Sequence, residues 1–470
     1  VVDLNENKGL RSQAFFGTES INKLLLKFAV PAIISMVVNS IYNIVDQIFI
    51  GWGVGYIGNA ATTACFPLVT IAMALSLMIS DGGVAFFSLR MGEKKHEMAQ
   101  KALGNGMFLA ALAGIVYLVA CESFMPGLLK LFGASDTVMP YAKSYGYITV
   151  AGVPFVMIGM LISAIIRADG NPRYAMFCML AGAVANIGLD ALFVFVFKWG
   201  VVGAAVATVI GQVLNFTLAI AYLPRLRSVT FEWKSTKPEG KIIRGIVALG
   251  LSSFITQLSI TVAAVTMNRV LSKYGAASKY GSDIPMAAFG IVMKVNQILT
   301  SVIIGIVIGA QPIEGYNYGA KNYERVRKTY LLGAAYATIA AVIAWIIFQT
   351  RTDALIRIFG QTSELYIEFA RMAFKKFLLT IFLAGVTIGS GVFFQAIGKP
   401  LKAMISSILR QIGFFVPCTL ILSSKYGIEG TLYGGPCADV LAFLCVATLV
   451  VLEMIDLNKK IKARDLENSR

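Results

Sequence analysis

Nothing constrains this chain more than its succession of apolar runs, many of them 20 or more residues long with one polar interruption or none. About 20 such residues in a helix match the ~30 Å hydrocarbon core of a bilayer, where every backbone N–H and C=O must be satisfied inside the segment. Twelve spans are expected, near 24–50, 60–88, 102–121, 141–166, 174–197, 201–223, 245–271, 285–313, 329–349, 366–394, 401–423 and 428–454. The chain is 57% hydrophobic and 14% charged, whereas soluble domains carry about a quarter charged residues. The expected fold is an all-α polytopic membrane protein.

The net charge of +16 is distributed by side. Segments sharing a side with both termini hold 27 Lys and Arg, the opposite side 11, and Arg269, Lys294 and Arg410 lie within spans. The positive-inside rule then puts both termini in the cytoplasm, with no separate cleavable signal expected ahead of the first span. The basic excess follows from topology and attraction to anionic lipid headgroups, so membrane lipids are expected partners and nucleic acid is not. Cys65, Cys121, Cys178, Cys418, Cys437 and Cys445 lack metal-ligand spacing and read as small core residues. With one histidine, His96, and no nucleophile–base pair, neither an enzyme nor a resident cofactor is expected.

The sequence also repeats itself. Met91–Lys101 aligns with Tyr318–Lys328 and Leu128–Gly133 with Leu355–Gly360, both at an offset of 227. Gly170-Asn-Pro172 matches Gly398-Lys-Pro400 at 228, and Gly200 with Gly203 matches Gly427 with Gly430 at 227. Six spans per half is an even number, so the repeats are parallel, related by an axis along the membrane normal. The expected organisation is an N-terminal lobe (1–224), a charged cytoplasmic linker (225–244) and a C-terminal lobe with its tail (245–470), around a central cleft.

Polar residues inside the apolar runs are where function is sought, because a buried Asp disfavours insertion by roughly 2.5–3.5 kcal/mol. Asp46 lies 19 residues beyond Lys27, roughly 28 Å at 1.5 Å per residue, and Asp190 roughly 26 Å beyond Arg173. Asp190 and Thr208 flank Trp199 at nine residues each, so all three share a level; Asn186 is one turn from Asp190 on the same face. Two carboxylates, an amide and a hydroxyl are hard oxygen donors suited to Na⁺. In a dry site, facing carboxylates also favour a proton held between them. The plain alternative is interhelical hydrogen bonding that only holds the bundle. Pro31, fifteen residues before Asp46, offers either a packing kink or a hinge.

The second half lacks this set, with Val265, Phe414 and Cys418 at equivalent positions. Its expected buried charges are Lys294, Arg410 and Asp439, the last two level with each other and read as a structural ion pair ahead of a second coupling site. Asp81 reads as a helix-end or gate residue. Asn39, Tyr42, Asn43, Gln257, Asn296 and Gln297 are candidates to line a substrate cavity.

At Pro31, Ile44–Gly51, Arg167–Pro172, Asn186–Asp190, Gly200–Thr208 and Gln311–Lys321, over about residues 20–455, the chain resembles the multidrug and toxic compound extrusion (MATE) transporters, in particular the bacterial DinF-like and staphylococcal-type multidrug branch. The resemblance implies a monomer in the bacterial inner membrane that exports amphipathic, often cationic, small molecules by antiport with H⁺ or Na⁺ through alternating access. It implies a coupling site at Asp46, Asn186, Asp190 and Thr208, with a bend at Pro31. The NorM-like branch also uses acids in the seventh and tenth spans, which are absent from 245–271 and from the core of 366–394. The runner-up function is a lipid-linked oligosaccharide flippase of the same superfamily.

Overall fold

The computed structural model describes residues 15–358 and 364–468, and among these every regular element is helical. In chain order they are α1 (Ile21–Val54), α2 (Tyr56–Gly92), α3 (His96–Leu131), α4 (Met139–Ala151), α5 (Val153–Ala168), α6 (Pro172–Asp190) and α7 (Gly200–Ala221). After two short 3₁₀ turns come α8 (Gly240–Ala276), α9 (Asp283–Gly319), α10 (Tyr323–Thr350), α11 (Thr352–Ile358) and α12 (Glu364–Phe377). The chain ends with α13 (Ala384–Ala396), α14 (Pro400–Ile408) and α15 (Val416–Asn468).

Among the described residues nine helical stretches are long and apolar enough to cross a membrane, and two bent pairs raise this to eleven. The pairs are α4–α5, bent by 41°, and Glu364–Phe377 with Ile381–Ala396, bent by 42°. The run Pro400–Glu467 is continuous by assignment, but Gly427 (φ 61°, ψ −139°) breaks it between the expected spans 401–423 and 428–454. Helices α1, α2, α8 and α9 have 34 to 37 residues, about 51–56 Å at 1.5 Å per residue. They therefore project beyond an apolar layer of about 30 Å.

The sequence repeat recurs in the backbone. Lys94 and Lys321 have φ of 60° and 58°, Gly170 and Gly398 94° and 76°, Gly200 and Gly427 59° and 61°. The two bends recur at the same offset. Burial follows suit: one core draws its buried residues from Ile50 to Val229, a second from Met267 to Leu432. Outward, Leu112, Ile115, Val116 and Val119 on α3 and Ile339, Ile343, Ile346 and Ile347 on α10 form exposed apolar stripes. Such stripes suit lipid, and would aggregate in water. The cysteine expectation needs correcting: Cys65, Cys121 and Cys178 are buried, but Cys437 is exposed and Cys418 and Cys445 half-buried on α15.

The loops at one end of the bundle are rich in Lys and Arg, and this basic end is closed. A cavity of about 730 Å³ there is framed by Glu93–Lys95, Tyr318–Lys321 and Gly398. Beneath it α2 crosses α9 so closely that a Cβ on Gly92 would strike the Tyr316 carbonyl, and one on Gly319 the Leu89 carbonyl. Gly250 of α8 meets the Met78 carbonyl of α2 in the same way. Further up, Ser40 of α1 and Ser301 of α9 pair at 2.5 Å. Beyond that pair the surfaces part. Lys294 and Ile298 share the helical face of Ser301, Gly305 and Gly309, yet both are exposed. A cleft therefore opens toward the far end.

Two features tie the basic end together. Asn105 of α3 donates to Ser235 O (3.0 Å) and accepts from Glu239 N (2.7 Å), pinning the linker to the first half. At the other side Glu453, fully buried, takes Lys399 and Lys402 at 2.6 Å each, while Lys460 reaches the Tyr318 hydroxyl at 3.0 Å.

Candidate ion-binding site

The site is built where α6 loses its regular pitch. Asn171 caps α6 by accepting from Tyr174 N at 3.2 Å. At its other end the α-helix stops at Asp190 and continues as a π-helix, Ala191–Val196. Such wider turns re-aim side chains and recur at functional sites. Gly182 of α6 and Gly211 of α7 touch backbone to backbone, and a Cβ on either would lie 2.7 Å from the other's carbonyl oxygen. That crossing lets Asn186 donate to the Thr208 hydroxyl at 3.3 Å.

Asp190 is fully buried and Asn186 nearly so. Asp46, from α1, faces Asp190 closely enough for the two carboxyls to interact. Both Asp190 oxygens, Asp46 Oδ1 and Asn186 Oδ1 are buried without a hydrogen-bond partner. Four converging acceptors with no donor are what a proton or a small hard cation requires. Among the described residues there is no group of three or more His, Cys, Asp or Glu to hold a metal ion. The donor set is one that suits a proton or a small hard cation rather than a transition metal.

The four residues expected at one level come together in two pairs, Asn186 with Thr208 and Asp46 with Asp190, linked by the single turn of α6 between Asn186 and Asp190. Two tyrosines complete their surroundings: Tyr42 of α1 and Tyr145 of α4 both lie within electrostatic reach of Asp46 and Asp190. Tyr145 is not among the residues expected from the sequence. It sits six residues into α4 from the far end, so the depth count that selects Thr208 extends to it.

Elsewhere the expectations fare differently. Pro31 is buried within an unbroken α1, and Ser35 donates to its carbonyl at 2.9 Å. Asn43 donates to Asn39 O at 2.7 Å, and Asn296 Oδ1 is buried without a partner. Among the described residues, no side-chain hydrogen bond joins Asn39, Tyr42 or Asn43 to Gln257, Asn296 or Gln297 across the cleft. Arg410 pairs with Asp439 at 3.0 Å, and Thr380 donates to the other carboxylate oxygen at 3.3 Å. Asp81 lies mid-helix in α2 rather than at a helix end, accepting from Ser253 of α8 at 2.7 Å. Lys294, expected to be buried, is exposed on the cleft-side face of α9. Besides Glu453, which its two lysines neutralise, the second half buries Glu314, 3% exposed, which the sequence does not single out because it falls just outside the expected span.

The fold and site define a multi-pass helical membrane protein with a polar cluster inside its first half whose buried carboxyl oxygens lack partners. The MatE family pattern matches residues 31–192 and 253–421. The multidrug export protein MepA of Staphylococcus saprophyticus is 24% identical over 445 residues, covering 93% of this chain and 95% of that protein. Its counterpart in Staphylococcus haemolyticus is 24% identical over 434 residues, covering 92% and 94%. Among solved structures, the MATE multidrug transporter DinF-BH is 34% identical, with a TM-score of 0.85, covering 93% of this chain and 96% of that one. An outward-facing MATE transporter of the MOP superfamily shares the fold at a TM-score of 0.88, with 22% identity over 93% and 97% of the chains. The chain belongs to the MatE family.

Proposed function

We propose that this protein is a secondary active multidrug efflux transporter, exporting amphipathic and cationic compounds in exchange for H⁺ or Na⁺ by alternating access. The observation that carries the coupling is the set of partnerless buried oxygens on Asp46, Asn186 and Asp190 beside the Thr208 hydroxyl. Membership of a family whose relatives are multidrug exporters supports the substrate class.

On this reading the two cores are two six-helix lobes, with the break at Gly427 separating the last two of twelve spans. The basic end is cytoplasmic, and the cell membrane of a bacterium is its place. The closed basic end and the open far end then describe an outward-facing state. A cation entering from outside binds at Asp46 and Asp190 and is discharged to the cytoplasm after the lobes rock. Drug and cation need not share ligands; coupling requires only that they favour different states. Bending of α1 at Pro31 is the movement that links the two, since Pro31 removes one backbone hydrogen bond there.

The test is efflux from vesicles or from cells lacking their own pumps, with cationic dyes and imposed H⁺ or Na⁺ gradients. Asp190→Asn is expected to fold and to lose gradient-driven efflux. Full transport by that variant would overturn the coupling assignment, and lipid flipping without dye efflux would overturn the substrate class.

A further inference from the structure

Helix α9 carries a buried acid that the coupling site does not use. Glu314 is 3% exposed and lies five residues before the end of α9, about 8 Å from the cytoplasmic loop at 1.5 Å per residue. Its direction follows from its neighbours. Gly309 of α9 packs on Ala29 of α1, and Gly319 on Leu89 of α2. Ala310 faces Gly333 of α10, and Val307 faces Gly389 of α13. Glu314, four residues after Ala310 and seven after Val307, therefore turns away from the seal between the halves and into the α9–α10–α13 core.

What surrounds it there is polar but uncharged. From α10 the titratable group facing it is the Tyr330 hydroxyl, paired at 2.8 Å with Ser390 of α13. From its own helix, one turn back, comes Gln311, itself 3% exposed, whose Nε2 has no partner. Ser88 of α2, against Gly315, likewise has a buried hydroxyl with no partner. Among the described residues no charged side chain lies within electrostatic reach of Glu314 from any helix packed against α9. An ionised carboxylate buried with no charged partner is costly, which makes such a group a candidate for a functional role.

We propose that Glu314, with Gln311, Tyr330 and Ser390, forms a second proton-binding site, on the cytoplasmic side of the C-terminal half. The ligand is a proton rather than Na⁺, because a single carboxylate among hydroxyl and amide donors offers too few acceptors for a metal cation. The step is an acid–base exchange: the carboxyl O–H bond breaks, the proton passes to cytoplasmic water, and the return reaction restores the neutral acid. The two halves then each hold an acidic site, one near the outer face at Asp46 and Asp190 and one near the inner face. The proposal does not depend on which cation the outer site carries.

Dicyclohexylcarbodiimide, which attacks protonated carboxyls in apolar surroundings, tests this on the wild-type protein in liposomes. The expected result is an adduct on Glu314, located by mass spectrometry, whose yield falls as buffer pH is raised. A second readout is infrared spectroscopy, where Glu314→Gln should lose a protonated-carboxyl band distinct from the one lost in Asp190→Asn. Absence of an adduct on Glu314 from mildly acidic to mildly alkaline buffer would overturn the proposal, as would a yield that does not change with pH. If Glu314→Gln does not fold, the wild-type labelling decides alone. Because neither readout requires dye or drug, a failed efflux assay leaves this test standing.

Discussion

At the scale of single residues, charges and hydroxyls in the membrane carry the distinctions. Thr208→Val removes the acceptor of the Asn186 amide while preserving shape. The loss of one such bond, about 1 kcal/mol, should weaken coupling-ion affinity by about five-fold. The check is the ion concentration giving half-maximal efflux, with maximal rate largely kept. Lys294 sets a second expectation. An exposed cation on the cleft-side face repels a cationic drug and attracts an anionic group, so Lys294→Met should raise efflux of purely cationic dyes relative to zwitterionic ones. Paired dye assays on one preparation measure that ratio.

Among the helices, the seal at the basic end is made by backbones in contact. Gly92→Val places a branched side chain against the Tyr316 carbonyl, and overpacking of this kind costs about 1–3 kcal/mol. The expected consequence is a population shifted away from the closed basic end, seen as longer spin-label distances between positions 94 and 321. The C-terminal clasp gives a stability counterpart. Glu453→Ala leaves Lys399 and Lys402 without their buried carboxylate, although both lysines stay partly exposed. A loss of about 1–2 kcal/mol, read as a lower melting temperature in detergent, is expected. The sequence carried much of this scale: apolar run length located the long helices, though not their exact number, and counting residues from the turns set Asp46, Asn186, Asp190 and Thr208 at one level. It could not show the π-turn after Asp190, which depends on tertiary packing. It also hid Glu314, because a span drawn to end at residue 313 leaves the next residue looking like loop. Lys294 misled for a related reason: a residue inside an apolar run is taken as buried, and only the helical face shows that it borders a cleft.

For the whole molecule, sidedness is the property to establish. Single cysteines at positions 94 and 321, in a chain stripped of its native ones, should react with membrane-impermeant thiol reagents only from the cytoplasm. Positions 198 and 425 should react only from outside. All four lysines at these positions are exposed, so failure to react reports sidedness rather than burial. The repeated positive-φ residues and matching bends show that the backbone obeys the repeat more faithfully than the side chains do. The clearest sign is the α2–α9 crossing, where Gly92 and Gly319 stand 227 residues apart and each rests against the other's helix. A side chain added at either glycine would strike the backbone of the helix opposite, so both copies are held to the same residue, whereas Asp190 and its surroundings differ between the halves. The glycine crossing is thus where close backbone contact keeps the two halves alike, and the acidic cluster where freedom from that contact lets them differ.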